Sequence, residues 1–123
     1  MKKARRIMII SMAMLVALAL PTFAMAESTV QKYTDGSHTF SKKWNESKTK
    51  YTSSGAKCVL TYGFNTTLIN EDYAYAFTNG AIHRSKIKNG NGTYNGPWKV
   101  ANEWSDKEVR HKGSSVTYYQ TWK

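Results

Sequence analysis

The chain has 123 residues and a net charge of +10, from 18 Lys and Arg against 8 Asp and Glu. Its one cysteine, Cys58, excludes an internal disulfide framework. His38, His83 and His111 lie far apart with no H-x-H or H-E-x-x-H pair, so the usual zinc ligand sets are excluded and no metal or other cofactor is expected.

The first segment reads as a secretory signal peptide. Lys2, Lys3, Arg5 and Arg6 form a cationic start, and an apolar run follows from Ile7 to Leu20. Pro21 ends the run, and Ala24-Met25-Ala26 places small residues before Glu27, so cleavage is expected between Ala26 and Glu27. About 14 apolar residues are too few to span a bilayer comfortably, which argues against an uncleaved anchor. The layout is that of a bacterial export signal, and the expected location is extracellular.

Cleavage changes the composition. All five Met leave with the signal, and loss of its four cations lowers the net charge from +10 to about +6. Leu, Ile, Val and Phe make only about 13% of what remains, a proportion typical of disordered chains. Four Trp and eight Tyr remain, however, and each ring can bury about 150–250 Å². A core is therefore expected to be aromatic rather than aliphatic.

From Glu27 onward no segment carries three turns of apolar residues at helical spacing. Turn clusters recur instead, at Asp35-Gly36-Ser37, Ser53-Ser54-Gly55, Asn79-Gly80, Asn89-Gly90-Asn91-Gly92, Asn95-Gly96 and Gly113-Ser114, between short β-branched and aromatic runs. This spacing predicts a small antiparallel all-β domain. Residues 27–56 read as an N-terminal extension that is partly loop, and 57–123 as the β domain. Strands are expected near His38–Trp44 and Lys57–Phe64, with the polar stretch Asn45–Gly55 as a loop. Asp72–Thr78 alternates large and small residues before Asn79-Gly80, which predicts a two-residue hairpin returning through Ala81–Lys88. That register sets Phe77 opposite Ile82, Tyr75 opposite Arg84 and Tyr73 opposite Lys86. One face would then join aromatic rings to cations; the same rings could equally pack inward with the cations solvated. A second hairpin is expected from Ser105–His111 and Ser115–Trp122, pairing Val109 with either Val116 or Tyr118 according to the turn.

The chemistry left open is narrow. Cys58, in an apolar run, is either a small buried hydrophobe or a thiol available for intermolecular pairing or reaction. No glycine loop precedes a helix, so a phosphate cradle is not expected. Asn45, Asn65 and Asn91 fit the glycosylation acceptor pattern but read as loop and turn residues in a bacterial protein. Basic charge with many rings would suit single-stranded nucleic acid, but export removes that partner. Outside a bacterium the anions are teichoic acids, anionic lipids and the pyrophosphate of wall precursors, and a basic aromatic face suits these. Lys residues that only keep the domain soluble are the competing reading.

From Tyr62-Gly63 to Trp122, about 60 residues, the order of features resembles the lactococcin 972 family of secreted bacteriocins. The pattern comprises Tyr62-Gly63, the cluster Tyr73–Tyr75, His83-Arg84-Ser85 with Ile87, the turn Asn89–Gly92, Gly96 with Trp98 and Ala101, and Tyr118-Tyr119 with Trp122. The resemblance implies export without lanthionine-type modification and a small antiparallel β-sandwich. It also implies binding of the cell-wall precursor lipid II, a block of septum formation without pores, peripheral contact with the target membrane, and a cognate transporter-like immunity protein. The chain departs from the family in its added stretch Glu27–Val59 and in Cys58.

The expected function is thus that of a secreted bacteriocin-like protein binding lipid II or another anionic envelope component. The alternative is a secreted non-toxic binding module, such as a wall-polymer binder or an inhibitor of an extracellular hydrolase; an enzyme is not expected. Target contact is expected at Tyr73, Tyr75, Arg84 and Lys86, with Trp98 and Trp104. Unpaired strand edges and exposed rings allow a homodimer.

Overall fold

In the computed structural model, residues 26–123 are described; the expected signal segment, apart from Ala26, lies outside them. Among the described residues eight strands form two four-stranded antiparallel sheets packed face to face as a small β-sandwich. The strands are β1 (Ser28–Thr34), β2 (Trp44–Tyr51), β3 (Lys57–Asn65), β4 (Glu71–Thr78), β5 (His83–Asn89), β6 (Gly92–Asn95), β7 (Trp104–Arg110) and β8 (Thr117–Trp122). One sheet, called A below, has the order β1-β8-β5-β6, and the other, B, has β2-β3-β4-β7. Among the described residues no helix is long and apolar enough to cross a membrane.

Alternation along each strand builds the core. Leu60, Tyr62, Ala74, Ala76 and Val109 of sheet B meet Ile87, Val116 and Tyr118 from the sheet A side. Tyr33, Phe40, Trp44 and Tyr94 pack around this cluster. Rings supply the volume that a poor aliphatic content cannot: Tyr118 lies 4.8 Å from Tyr62 and 5.8 Å edge-on from Trp44, centre to centre. Tyr33 stacks on Tyr62 at 5.5 Å.

Polar side chains also tie the sheets together. Gln31 Nε2 donates to Gln120 Oε1 at 2.9 Å and to the Cys58 carbonyl at 3.3 Å, while Gln120 Nε2 donates across the sandwich to the Phe77 carbonyl at 2.7 Å. At the other end, fully buried Asp72 accepts from Asn89 Nδ2 at 2.9 Å and lies 2.8 Å from His111 Nδ1. Asn89 belongs to β5 and Asp72 to β4, so this cluster bridges the sheets. The buried His83 ring sits between two backbone carbonyls, with Ala81 O 2.9 Å from Nδ1 and Glu103 O 2.7 Å from Nε2. Cys58 is fully buried with its thiol 3.5 Å from Thr78 Oγ1.

Three local expectations are corrected. Asp72–Thr78 and Ala81–Lys88 do not form a hairpin: β4 pairs with β3 and β7, and β5 with β6 and β8. Neither Asn79 nor Gly80 has the positive φ that a tight hairpin turn of this type requires. Gly80 instead leaves room for Ala56, whose Cβ would lie 2.6 Å from an added Cβ, while Asn79 Oδ1 accepts from the Lys57 amide at 2.9 Å. The chain thus crosses from one sheet to the other.

The second expected hairpin fails likewise, because β7 pairs with β4 and β8 pairs with β1 and β5. Its loop docks on the β5–β6 turn, where the Gly90 amide donates to the Lys112 carbonyl at 2.8 Å.

Finally, Asn45–Tyr51 is strand rather than loop, and the expected strand His38–Trp44 is irregular up to Trp44. The sequence of β2 is polar because it is an edge strand with much of its surface in water, a composition that also discourages edge-to-edge aggregation. Asn45 and Asn65 accordingly lie within β2 and β3, and Asn91 alone of the three sits in a turn. Residues 27–56 supply an edge strand to each sheet through β1 and β2.

Candidate functional site

The crossover between β4 and β5 divides the six expected contact residues between opposite outer faces. Tyr73, Tyr75 and Trp104 lie on the outside of sheet B, whereas Arg84, Lys86 and Trp98 lie on the outside or edge of sheet A. The expected pairing of Tyr75 with Arg84 and of Tyr73 with Lys86 does not occur.

On sheet B the rings have acidic neighbours. Tyr73 stands opposite Glu108 and Tyr75 opposite Asp106. The Tyr75 hydroxyl donates to Glu108 Oε2, and burial first, with Glu108 and Asp106 beside it, pushes the phenol well above its ordinary range. Tyr73 is only 9% exposed and stacks on Tyr75 at 5.1 Å. Its hydroxyl donates to Asn45 Oδ1 at 2.5 Å, and its ring covers Gly63, its cross-strand partner. Trp104, 45% exposed, pairs with Phe77 at 5.2 Å.

Sheet A is the basic face. On β5, Arg84, Lys86 and Lys88 alternate with the inward residues His83, Ser85, Ile87 and Asn89. Lys86 faces Tyr119 of β8, which in turn faces Lys32 of β1. The two ammonium groups lie 5.6 Å and 5.7 Å from the Tyr119 ring centre. Beyond β6 the backbone runs on beside β5, with Lys99 and His83 exchanging amide hydrogen bonds at 2.8 and 2.9 Å. This brings Trp98 under the Arg84 guanidinium at 4.2 Å and the Lys123 ammonium at 4.4 Å.

A groove of about 440 Å³ opens at one end of this face, lined by residues that include Lys32, Lys88, Ser114, Ser115, Thr117 and Tyr119. Its ammonium groups and hydroxyls present hydrogen-bond donors to the groove. A second cleft of about 300 Å³ between Trp44, Phe64, Tyr73 and their neighbours is more apolar. Among the described residues no group of three His, Cys, Asp or Glu is placed to hold a metal ion.

One acid enters the basic face. Glu27, the residue after the expected cleavage point, accepts from Arg84 Nη2 at 2.7 Å and Nε at 3.3 Å, and from Thr121 Oγ1 at 2.5 Å. Lys86 Nζ lies 3.4 Å away. Burial alone would raise the Glu27 pKa, but the Arg84 and Thr121 hydrogen bonds and the Lys86 and Arg84 charges outweigh it and hold the carboxyl down at about 2. A depressed carboxyl contributes stability that is fully present above the ordinary value of 4.5 and is lost as pH falls toward 2. Glu27→Gln is therefore expected to lower the melting temperature at pH 7 and to reduce the loss of stability between pH 4.5 and 2; an unchanged acid limb in that variant would remove this role.

Lys32, Lys88 and Tyr119 were not among the contact residues expected from sequence. Alternation marks Lys86 and Lys88 as sharing a face, but only the β1-β8-β5 order brings Lys32 and Tyr119 beside them.

Fold and site together define a small antiparallel β-sandwich with a cationic aromatic outer face opposed by an aromatic, partly acidic one. No protein-family model, curated protein or solved structure matches the chain.

Proposed function

We propose that this is a secreted binding protein whose outer face on sheet A holds an anionic component of the bacterial envelope. The observation that carries the reading is the convergence of Lys32, Lys86 and Lys88 around Tyr119 and the adjoining groove, with Arg84 and Lys123 on Trp98. Such a face attracts phosphate-bearing ligands by long-range field and holds them by charge-assisted hydrogen bonds, while rings suit the boundary between headgroup and apolar chain.

Within that reading we propose a bacteriocin-like activity directed at lipid II, which blocks wall synthesis at the septum. The export signal and the order of features from Tyr62 to Trp122 support it. Purified protein is expected to inhibit growth of related Gram-positive cells, with added lipid II relieving the inhibition. Retention on purified walls without inhibition or lipid II binding would instead favour a non-toxic wall-polymer binder. Failure to bind either material at low ionic strength would overturn the envelope-binding reading.

A further inference from the structure

The contacts of Glu27 describe a formed recognition site as well as a strand anchor. Arg84 presents two N–H groups to the two oxygens of one carboxylate, the fork geometry by which guanidinium recognises planar and tetrahedral oxyanions. Thr121 and Lys86 converge on the same oxygen, Oε2. Trp98 stacks under the guanidinium and restricts its orientation. The side chains of Arg84, Lys86 and Glu27 are 19%, 22% and 24% exposed, so the site is partly desolvated yet open to solvent.

Lys86 also faces Tyr119, which lines the neighbouring groove. The Glu27 position is therefore continuous with the further cations Lys32 and Lys88. A single carboxylate neutralises only one charge of this array, whereas a diphosphate carries more charge and more acceptor oxygens.

We propose that Arg84, Lys86 and Thr121 form an oxyanion-binding site for a phosphate or diphosphate group, and that the Glu27 carboxylate is its intramolecular occupant, displaced when the ligand enters. This rests on sheet A being the binding face and adds where the anion sits and what competes for its place. Glu27 precedes the first residue of β1, so its side chain can leave without unpairing the strand. An occupant tethered in this way lowers apparent affinity by the fraction of molecules in which it fills the site.

The test is calorimetric titration of the purified protein, its Glu27→Gln variant and the Glu27→Gln/Arg84→Gln double variant with inorganic pyrophosphate, inorganic phosphate and acetate. Mass spectrometry first establishes that all three proteins start at the same residue. Glu27→Gln is expected to bind pyrophosphate roughly three- to tenfold more tightly than the parent, although its folded state is less stable. The double variant should lose the gain. Pyrophosphate should exceed phosphate, and acetate should bind weakest.

Unchanged or weaker pyrophosphate binding by Glu27→Gln would overturn the proposal and leave Glu27 as a strand anchor. A parallel titration with vesicles carrying a lipid-linked diphosphate separates a membrane-borne ligand from a free one. It also separates the two claims: vesicle binding that is insensitive to Glu27 and Arg84 would sink the oxyanion site but leave envelope binding standing, whereas absence of all binding would sink both.

Discussion

Gly63→Ala is expected to destabilise the domain by about 3 kcal/mol or more, far beyond the usual effect of one added methyl group. A Cβ at this position would lie 2.2 Å from the Trp44 carbonyl oxygen and 2.6 Å from the Tyr73 hydroxyl. The first obstacle is backbone of the adjacent strand, where Asn45 is the direct partner of Gly63. It can retreat only by loosening the β2–β3 ladder. The second is a ring fixed by its hydrogen bond to Asn45 and its stack on Tyr75.

Gly36→Ala supplies the contrast. Gly36 has φ +60 with nothing within 4 Å of an added Cβ, so only backbone strain of about 1–2 kcal/mol is expected. Urea denaturation of both variants measures the difference. A Gly63→Ala protein within 1 kcal/mol of the parent would contradict this close packing of β2, Gly63 and Tyr73.

The second large effect is expected at Asp72. Its carboxylate joins Asn89 and His111 at the end of the sandwich, with Phe40 stacked on the His111 ring at 4.1 Å and Phe64 edge-on at 5.2 Å. Asp72→Ala removes the shared acceptor. Asn89 Nδ2 keeps only its bond to the Arg110 carbonyl, and His111 Nδ1 loses its partner among aromatic rings. The expected cost is about 3 kcal/mol, because the surviving polar groups cannot regain water without opening the sandwich. Asp72→Asn, which keeps size and one acceptor, should cost less than half as much.

Burial raises the Asp72 pKa, while the Asn89 and His111 hydrogen bonds oppose the rise. A raised carboxyl contributes stability below the ordinary value of 3.8 and loses it as pH rises through the folded value, the reverse of Glu27. The advantage of the parent over Asp72→Asn is thus expected to shrink as pH rises through that range. Denaturation of both proteins between pH 3 and 7 checks the sign; a steadily widening advantage would show that the paired carboxylate outweighs burial.

Much of the architecture is legible in the sequence because alternation is a local signal. Cys58-Val59-Leu60 and Asp72–Thr78 each announce a strand. The expected aromatic core holds only in part: Tyr62, Phe64, Tyr73 and Tyr118 are buried beside Leu60, Ala74, Ala76, Ile87, Val109 and Val116, and Trp44 packs against this cluster only partly buried. Connectivity is less legible. An alternating strand, a short turn and another alternating strand describe a hairpin and a crossover between packed sheets equally well, since both bury every second residue. Asn79-Gly80 carries the composition of a hairpin turn, yet in the fold it packs against Ala56, in the loop before β3, and accepts a hydrogen bond from the amide of Lys57, the first residue of β3.

The same ambiguity divided the expected site. Arg84 and Lys86 do belong to a basic aromatic face, but their rings are Trp98 and Tyr119, while Tyr73 and Tyr75 have acidic partners on the opposite sheet. Edge position hid β2, whose Ser, Thr and Lys residues read as loop. His38 and Phe40 gave no signal as packing residues, because their partners Trp44, Phe64 and His111 meet only in the fold.

Ligand binding on the outer face of sheet A is read from backbone and side-chain NMR shifts of isotope-labelled protein while a lipid-linked diphosphate is added in small neutral bicelles, with empty bicelles as reference. Shifts are expected to concentrate at Lys32, Arg84, Lys86, Lys88, Trp98, Tyr119 and Thr121, with Glu27 among the largest. Shifts confined to Tyr73, Tyr75, Phe77 and Trp104, or no difference from empty bicelles, would contradict it.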